Sequence, residues 1–361
     1  MKASLRTLSL VATLALALLP FVATAQAQAP AYIGNTSEDS ISVVDTATNT
    51  IIATYSAVPS PRGVTVSPDG MRIYAASISD SVVTVINTTT GTIEASISIA
   101  DWPQTVAVSP DSSRVYVSTT LADVVTVIDA ASNTVSGTIA VGDGPVGIVA
   151  SSDGERLYTA NFNDGTVSVI DAATETQIAA VPVGNEPFVI DVSPDGSRVY
   201  VSNGADDSVS VVDTDTLVEI TSIGVGTSPA GLVVDSTGSS VYVANADGDS
   251  ISIIDADVAA AVATVPVPVA GPIGLGITPD DARLYAVSLT DSEVAVIDTA
   301  TQSVINGVVV PAGSFNLGRF IGPAPPDPGA AMSVPSLDVW STLLLILLAG
   351  LIANRALLTP R

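Results

Sequence analysis

Any chemistry in this chain has to be carried by carboxylates, amides, hydroxyls and a few guanidinium groups, because its 361 residues contain no histidine and no cysteine. Imidazole acid/base catalysis, thiolate nucleophiles and zinc sites built on nitrogen and sulfur are therefore excluded. A metal site would have to be an oxygen-ligand site for a hard cation. The residues that suit one are Asn245, Asp247 and Asp249 in Asn245-Ala246-Asp247-Gly248-Asp249, and Asn161 with Asp164 in Asn161-Phe162-Asn163-Asp164-Gly165. Ca2+ is the ion they would take, and no other cofactor is expected. The same residues also make hairpin turns, and their charge keeps a chain in solution. A second group, Arg62, Asp101, Trp102, Gln104, Asp143, Glu186, Phe188 and Phe315, lies beside a recurring proline, where otherwise similar segments differ most. Variable loop residues on a regular scaffold are candidates for ligand binding, and Trp102 is an aromatic anchor of the kind such sites use. Asp191, inside the apolar run Phe188 to Val192, must face water or a charged partner.

The charge balance narrows the partners. There are 36 acidic residues against 11 basic ones, a formal charge of -25, and the single lysine is Lys2. Phosphate backbones need a basic face, so nucleic acid is not an expected partner. Between Pro30 and Met332 stand 35 of the acids and seven arginines, which leaves this stretch at about -28. Five of those arginines, Arg72, Arg114, Arg156, Arg198 and Arg283, each stand three residues after an acidic turn position, and a local Arg to Asp pair across the turn is the expected role.

What must position these groups is a repeat. Tyr32, Tyr74, Tyr116, Tyr158, Tyr200, Tyr242 and Tyr285 recur at intervals of 42 or 43 residues, and so do Pro61, Pro103, Pro145, Pro187, Pro229 and Pro272. Asp45, Asn87, Asp129, Asp171, Asp213, Asp255 and Asp298 follow in the same register. Within each unit, four runs alternate apolar and polar residues with period two, separated by turns such as Ser193-Pro194-Asp195-Gly196. Four short antiparallel strands repeated radially make a propeller blade. The expected fold is all-β, a seven-bladed propeller over residues 31–322. The chain enters at the second strand of a unit, and Ser314 to Ile321 aligns with the missing first strand. The seventh blade is therefore expected to be split between the two ends, which leaves no open edge.

The flanks carry other signals. Residues 1–29 have the order of a secretory signal: Lys2 and Arg6, an apolar run from Leu8 to Val22, then Ala23, Ala25, Ala27 and Ala29. Residues 323–333 are a proline-rich spacer, and 334–361 contain an apolar run from Val339 to Ala353 followed by Arg355 and Arg361. That run is expected to be a hydrophobic helix that anchors the chain in a membrane, with its arginines on the cytoplasmic side.

The strings Tyr200-Val201-Ser202-Asn203, Ser208-Val209-Ser210-Val211-Val212-Asp213 and Thr166-Val167-Ser168-Val169-Ile170-Asp171 resemble the YVTN family of β-propeller repeats. The resemblance runs through all seven units, although Tyr74-Ala75-Ala76-Ser77 and Tyr285-Ala286-Val287-Ser288 lack the final Asn. It implies an exported or surface propeller and supplies no catalytic residue. Related propellers include lactone hydrolases, so a hydrolase is the competing expectation to a non-catalytic binding or structural module. A grouping of Asp191, Glu186 and Arg62 or Arg319 within about 4 to 6 Å would favour the hydrolase. Val334-Pro335-Ser336-Leu337-Asp338-Val339-Trp340 is similar to the IPTL-CTERM sorting signal of Gram-negative bacteria, with Pro335, Leu337 and Trp340 matching its Pro, Leu and Trp. That resemblance implies removal of the tail by an exosortase-type enzyme after transient inner-membrane anchoring. The destination would be the cell surface, periplasm or outer membrane, with a surface protein or polysaccharide as partner.

Overall fold

The period-two runs become strands because their apolar positions can be buried on both faces of a sheet stacked between two others. The computed structural model describes residues 29–99, 101–311 and 313–323. Among them are six four-stranded antiparallel sheets and one three-stranded sheet, with successive strands as neighbours in every sheet. Blades 1 to 6 span residues 61–98, 103–140, 145–182, 187–224, 229–266 and 272–309, and the seventh holds 31–56. Residues 1–28 of the expected signal segment and everything beyond Pro323, including the sorting motif, lie outside the described residues. No helix among the described residues is long and apolar enough to cross a membrane.

Each blade runs outward from the channel. Its innermost strand starts at the repeat proline, as in Pro187–Val192, and its outermost strand, as in Val218–Gly224, is largely exposed. The second and third strands are buried almost throughout, and side chains from adjacent blades share common cores. The repeat tyrosines sit in these cores, all 7% exposed or less.

The turns explain their own sequences. In Ser193-Pro194-Asp195-Gly196 the Asp195 carboxylate accepts from Ser193 Oγ (2.6 Å) and Ser197 N (3.0 Å), and Gly196 takes φ 73°. Acidic residues after the second strand hold the loop that leads to the next blade. Asp123, Asp207 and Asp249 accept from the amides of Gly144, Ser228 and Gly271, and Asp164 and Asp206 accept from Asp143 and Asn185. The asparagine of the Tyr-Val-Ser-Asn string binds two hydroxyls of the third strand: Asn203 Nδ2 donates to Ser208 and Ser210, and Asn245 Nδ2 to Ser250 and Ser252.

The arginines do not do what the local spacing suggests. Arg72, Arg156 and Arg198 reach the carbonyls of Ala130, Thr214 and Ala256, each 58 residues on in the next blade, the last at 2.6 Å. Arg114 reaches Glu175 of the next blade, and Arg283 reaches Thr46 across the seam between the chain ends. Only Arg72 also pairs within its own blade, with Glu94 at 2.8 Å. The turn aspartates are satisfied by hydroxyls and amides, so the guanidinium groups are left to tie blade to blade.

The ring closes as the repeat phase requires. Ser314 bridges Asn35 and Ile321 bridges Ala31, which makes 314–321 the innermost strand of the seventh blade. The same segment bonds to blade 1, where Leu317 N donates to Arg62 O, and Val64 N and Val66 N donate to Leu317 O and Arg319 O. It carries two more residues than its counterparts: Pro187 to Val192 face the five residues Val199 to Asn203, whereas Ser314 to Ile321 face the equivalent five, Ala31 to Asn35. The excess is absorbed at Gly318, whose φ of 108° suits glycine, and Arg319 follows it into the channel.

Candidate functional site

The second residues of the innermost strands decide which end of the channel is closed. Val146, Phe188, Ala230, Ile273 and Phe315 come from five successive blades and pack together with Leu317 in one apolar cluster. Phe162 meets Phe188 edge-on at 6.3 Å, and the Arg62 guanidinium lies 4.0 Å from the centroid of the Phe315 ring. Burial pushes the Arg62 pKa below its ordinary value. The end of the channel beside the repeat prolines is thus plugged by the side chains that the loop argument offers as ligand contacts.

The other end is open. A cavity of about 1230 Å3 reaches from the third residues of the inner strands, among them Thr105, Gly147 and Asn316, to a rim formed by the Ser-Pro-Asp turns. Its wall is mainly aliphatic, with Val66, Val149, Ile190 and Leu232 on it, and Asp235, Asp280 and Asp281 stand at the rim. The first and last described residues of the ring, Ala29 and Pro323, border it as well.

One ion pair crosses this space. Arg319 on the seventh blade reaches past blades 5 and 6 to Asp191 on blade 4, Nη2 to Oδ1 at 2.7 Å. Asp191 also accepts from Val192 N and, on its other oxygen, from Val234 N of blade 5, both at 3.0 Å. The Asp191 side chain is 8% exposed and that of Arg319 is 61% exposed, so the carboxylate is embedded in the wall while the guanidinium stands in the bore. The Asp191 charge raises the Arg319 pKa above its ordinary value, which keeps the arginine charged. The rim carboxylates are all engaged: Asp235 with Thr237 and Ser239 and Asp280 with Thr278 in their own turns, and Asp281 with Ser236 in the turn of the neighbouring blade.

The candidate residues read from the sequence therefore fall into separate places. Asp191 lines the open cavity, whereas Arg62, Phe188 and Phe315 belong to the plug at the opposite end. Glu186, Asp101 and Trp102 are exposed on the plugged face, Trp102 at 47%, and Gln104 is half-buried there. Asp143 is exposed on that face too and accepts from Asn163 Nδ2 at 2.8 Å. Asp191 thus meets Arg319 but neither Glu186 nor Arg62. Of the cation candidates, Asp249 and Asp164 hold loop amides and the Nδ2 groups of Asn245 and Asn161 hold hydroxyls. Among the described residues no three Asp or Glu side chains converge on one point. The rim residues Asp235, Asp280 and Asp281 were not singled out as site residues, whereas Arg319 was named with Arg62 as an arginine that Asp191 could meet.

Comparison with known proteins agrees with this architecture. The chain matches the model of a YNCE-like beta-propeller family over residues 195–305. No curated protein sequence matches it. Hydrazine synthase of Kuenenia stuttgartiensis is similar in structure with a TM-score of 0.66, at 20% identity over 72% of this chain and 89% of that one. A functionally unknown protein from Desulfotomaculum acetoxidans DSM 771 superposes with a TM-score of 0.72, at 17% identity over 79% and 98% of the two chains. Dihydro-heme d1 dehydrogenase NirN in complex with DHE gives 0.61 at 17% identity over 78% of this chain, which spans 63% of that one. At such identities the likeness is one of fold, and together with the repeat register it makes this chain a β-propeller repeat protein.

Proposed function

We propose that the chain is an exported, non-catalytic binding module whose ligand enters the channel from the face of the Ser-Pro-Asp turns. The observation that carries this reading is the cavity, deep, largely aliphatic and plugged at its far end, which is the form of a binding pocket with one entrance. Its size suits a small molecule or the end of a surface polymer such as a polysaccharide. Export and surface delivery rest on the order of residues 1–29 and on the motif around Pro335, Leu337 and Trp340. The non-catalytic reading rests on Asp191: a carboxylate that accepts from three donors is committed to holding Arg319 and two amides rather than free to move a proton.

The test is a melting-temperature screen of small molecules and oligosaccharides on the purified protein, with two variants. A ligand at 100 times its Kd stabilises the fold by about 2.7 kcal/mol. Ala150→Trp, which fills the cavity from blade 3, is expected to abolish the stabilisation. Trp102→Ala, on the plugged face, is expected to leave it unchanged. The reverse pattern would move the site to the plugged face and refute the proposal.

A further inference from the structure

Arg319 is the only basic side chain that lines the cavity among the described residues. One of its nitrogens is spent on Asp191, and its remaining N–H groups have no partner among the described residues although the side chain is 61% exposed to the bore. A guanidinium offers five donors in a planar fork that matches a carboxylate. Here the fork is held in place by a carboxylate that is itself fixed by two backbone amides, so little side-chain freedom is lost when a ligand arrives. Around it the wall is aliphatic, and the rim carboxylates are taken up by hydroxyls of their own turn or, for Asp281, of the neighbouring one.

We propose that the cavity takes a small organic acid, its carboxylate received by the free donors of Arg319 and its apolar body laid along the channel wall. The inference deepens the binding reading above and rests on it. A single carboxylate is favoured over a multiply charged anion, because the ring carries a large negative charge and Asp191 already offsets the guanidinium. The arrangement also places the ligand on the segment that closes the ring, since Arg319 stands within the seventh blade's innermost strand.

Calorimetric titration of the purified protein with hexanoate and with its neutral counterpart hexanamide tests this. Hexanoate is expected to bind at least tenfold more tightly than hexanamide, and Arg319→Met to erase the difference. Because that variant could also open the seam, Asp191→Asn provides a second reading. With the competing charge removed and the side-chain shape kept, it is expected to tighten hexanoate binding severalfold. Equal binding of hexanoate and hexanamide to the unaltered protein, or weaker hexanoate binding by Asp191→Asn, overturns the carboxylate assignment and leaves the cavity as a site for neutral ligands. Binding of neither compound overturns the carboxylate assignment and the channel-binding reading together.

Discussion

The phenols of Tyr32, Tyr74, Tyr116, Tyr158, Tyr242 and Tyr285 lie between blades, and burial pushes their pKa values above the ordinary 10. A pKa raised in the fold contributes stability that is complete below the unfolded value and lost as pH rises through the folded one. Each phenol that stays protonated in the fold therefore removes about 1.4 kcal/mol per pH unit above about 10. The turn aspartates Asp111, Asp153, Asp195 and Asp280 behave oppositely. The neighbouring Ser or Thr hydroxyl holds each carboxyl below its usual range, so their contribution is present above about pH 4 and fades on acidification. With no histidine or cysteine, no side chain ordinarily titrates between about pH 5 and 9. Melting temperatures are expected to be flat across that window and to fall steeply in alkali. Phenolate absorbance should rise together with loss of the circular-dichroism signal. Phenols that titrated smoothly near pH 10 in an intact fold would contradict the account.

At the scale of the strand, the channel wall is built by backbone approach. A Cβ on Gly147 would stand 2.5 Å from the Phe188 carbonyl oxygen of the next inner strand, and on Gly274 it would stand 2.1 Å from that of Asn316. Gly147→Ala is expected to cost about 1 to 3 kcal/mol, because the clash is with backbone that cannot turn aside. Gly224→Ala, on an outer strand with nothing within 4 Å, is the control and should change stability by less than about 0.5 kcal/mol. Urea midpoints of the two variants distinguish the cases. A Gly147→Ala protein as stable as Gly224→Ala would mean that the inner strands can spread without penalty. The arginines act at the same scale: a charged donor to a carbonyl of the next blade, as at Arg198 and Ala256, holds neighbouring sheets in register.

The ring as a whole depends on 314–321, which bonds to the strand Ala31–Asn35 on one side and to blade 1 on the other. Deleting Ser314 to Gly322 removes the innermost strand of the seventh blade, the Phe315 part of the plug and Arg319 at once. The strand Ala31–Asn35 would then present unpaired backbone groups along the channel, a template for pairing with another chain. The truncated protein is expected to melt well below the full ring and to self-associate in sedimentation. A truncated protein that stayed monomeric at the original melting temperature would show that closure does not depend on this segment.

Blade number, strand order and the place of the seam were legible in the residues themselves. The tyrosines, prolines and Val-Ile-Asp runs repeat with one period, and each turn is specified by a few neighbours, such as Ser193, Asp195 and Gly196. Strand periodicity and turn chemistry are local, so a linear reading reaches them. The partner of each arginine was not legible, because Arg198 finds its acceptor 58 residues away rather than in the adjacent turn. Nor was the open end of the channel. Loop variability pointed to the face of Arg62, Trp102 and Phe188, but the bore closes there because second-position side chains from five blades pack together. That Asp191 meets Arg319, 128 residues away, rather than Arg62 has the same origin. Whether a channel is filled or empty depends on the sum of side chains converging radially from every repeat, and that sum exists only once the ring has closed.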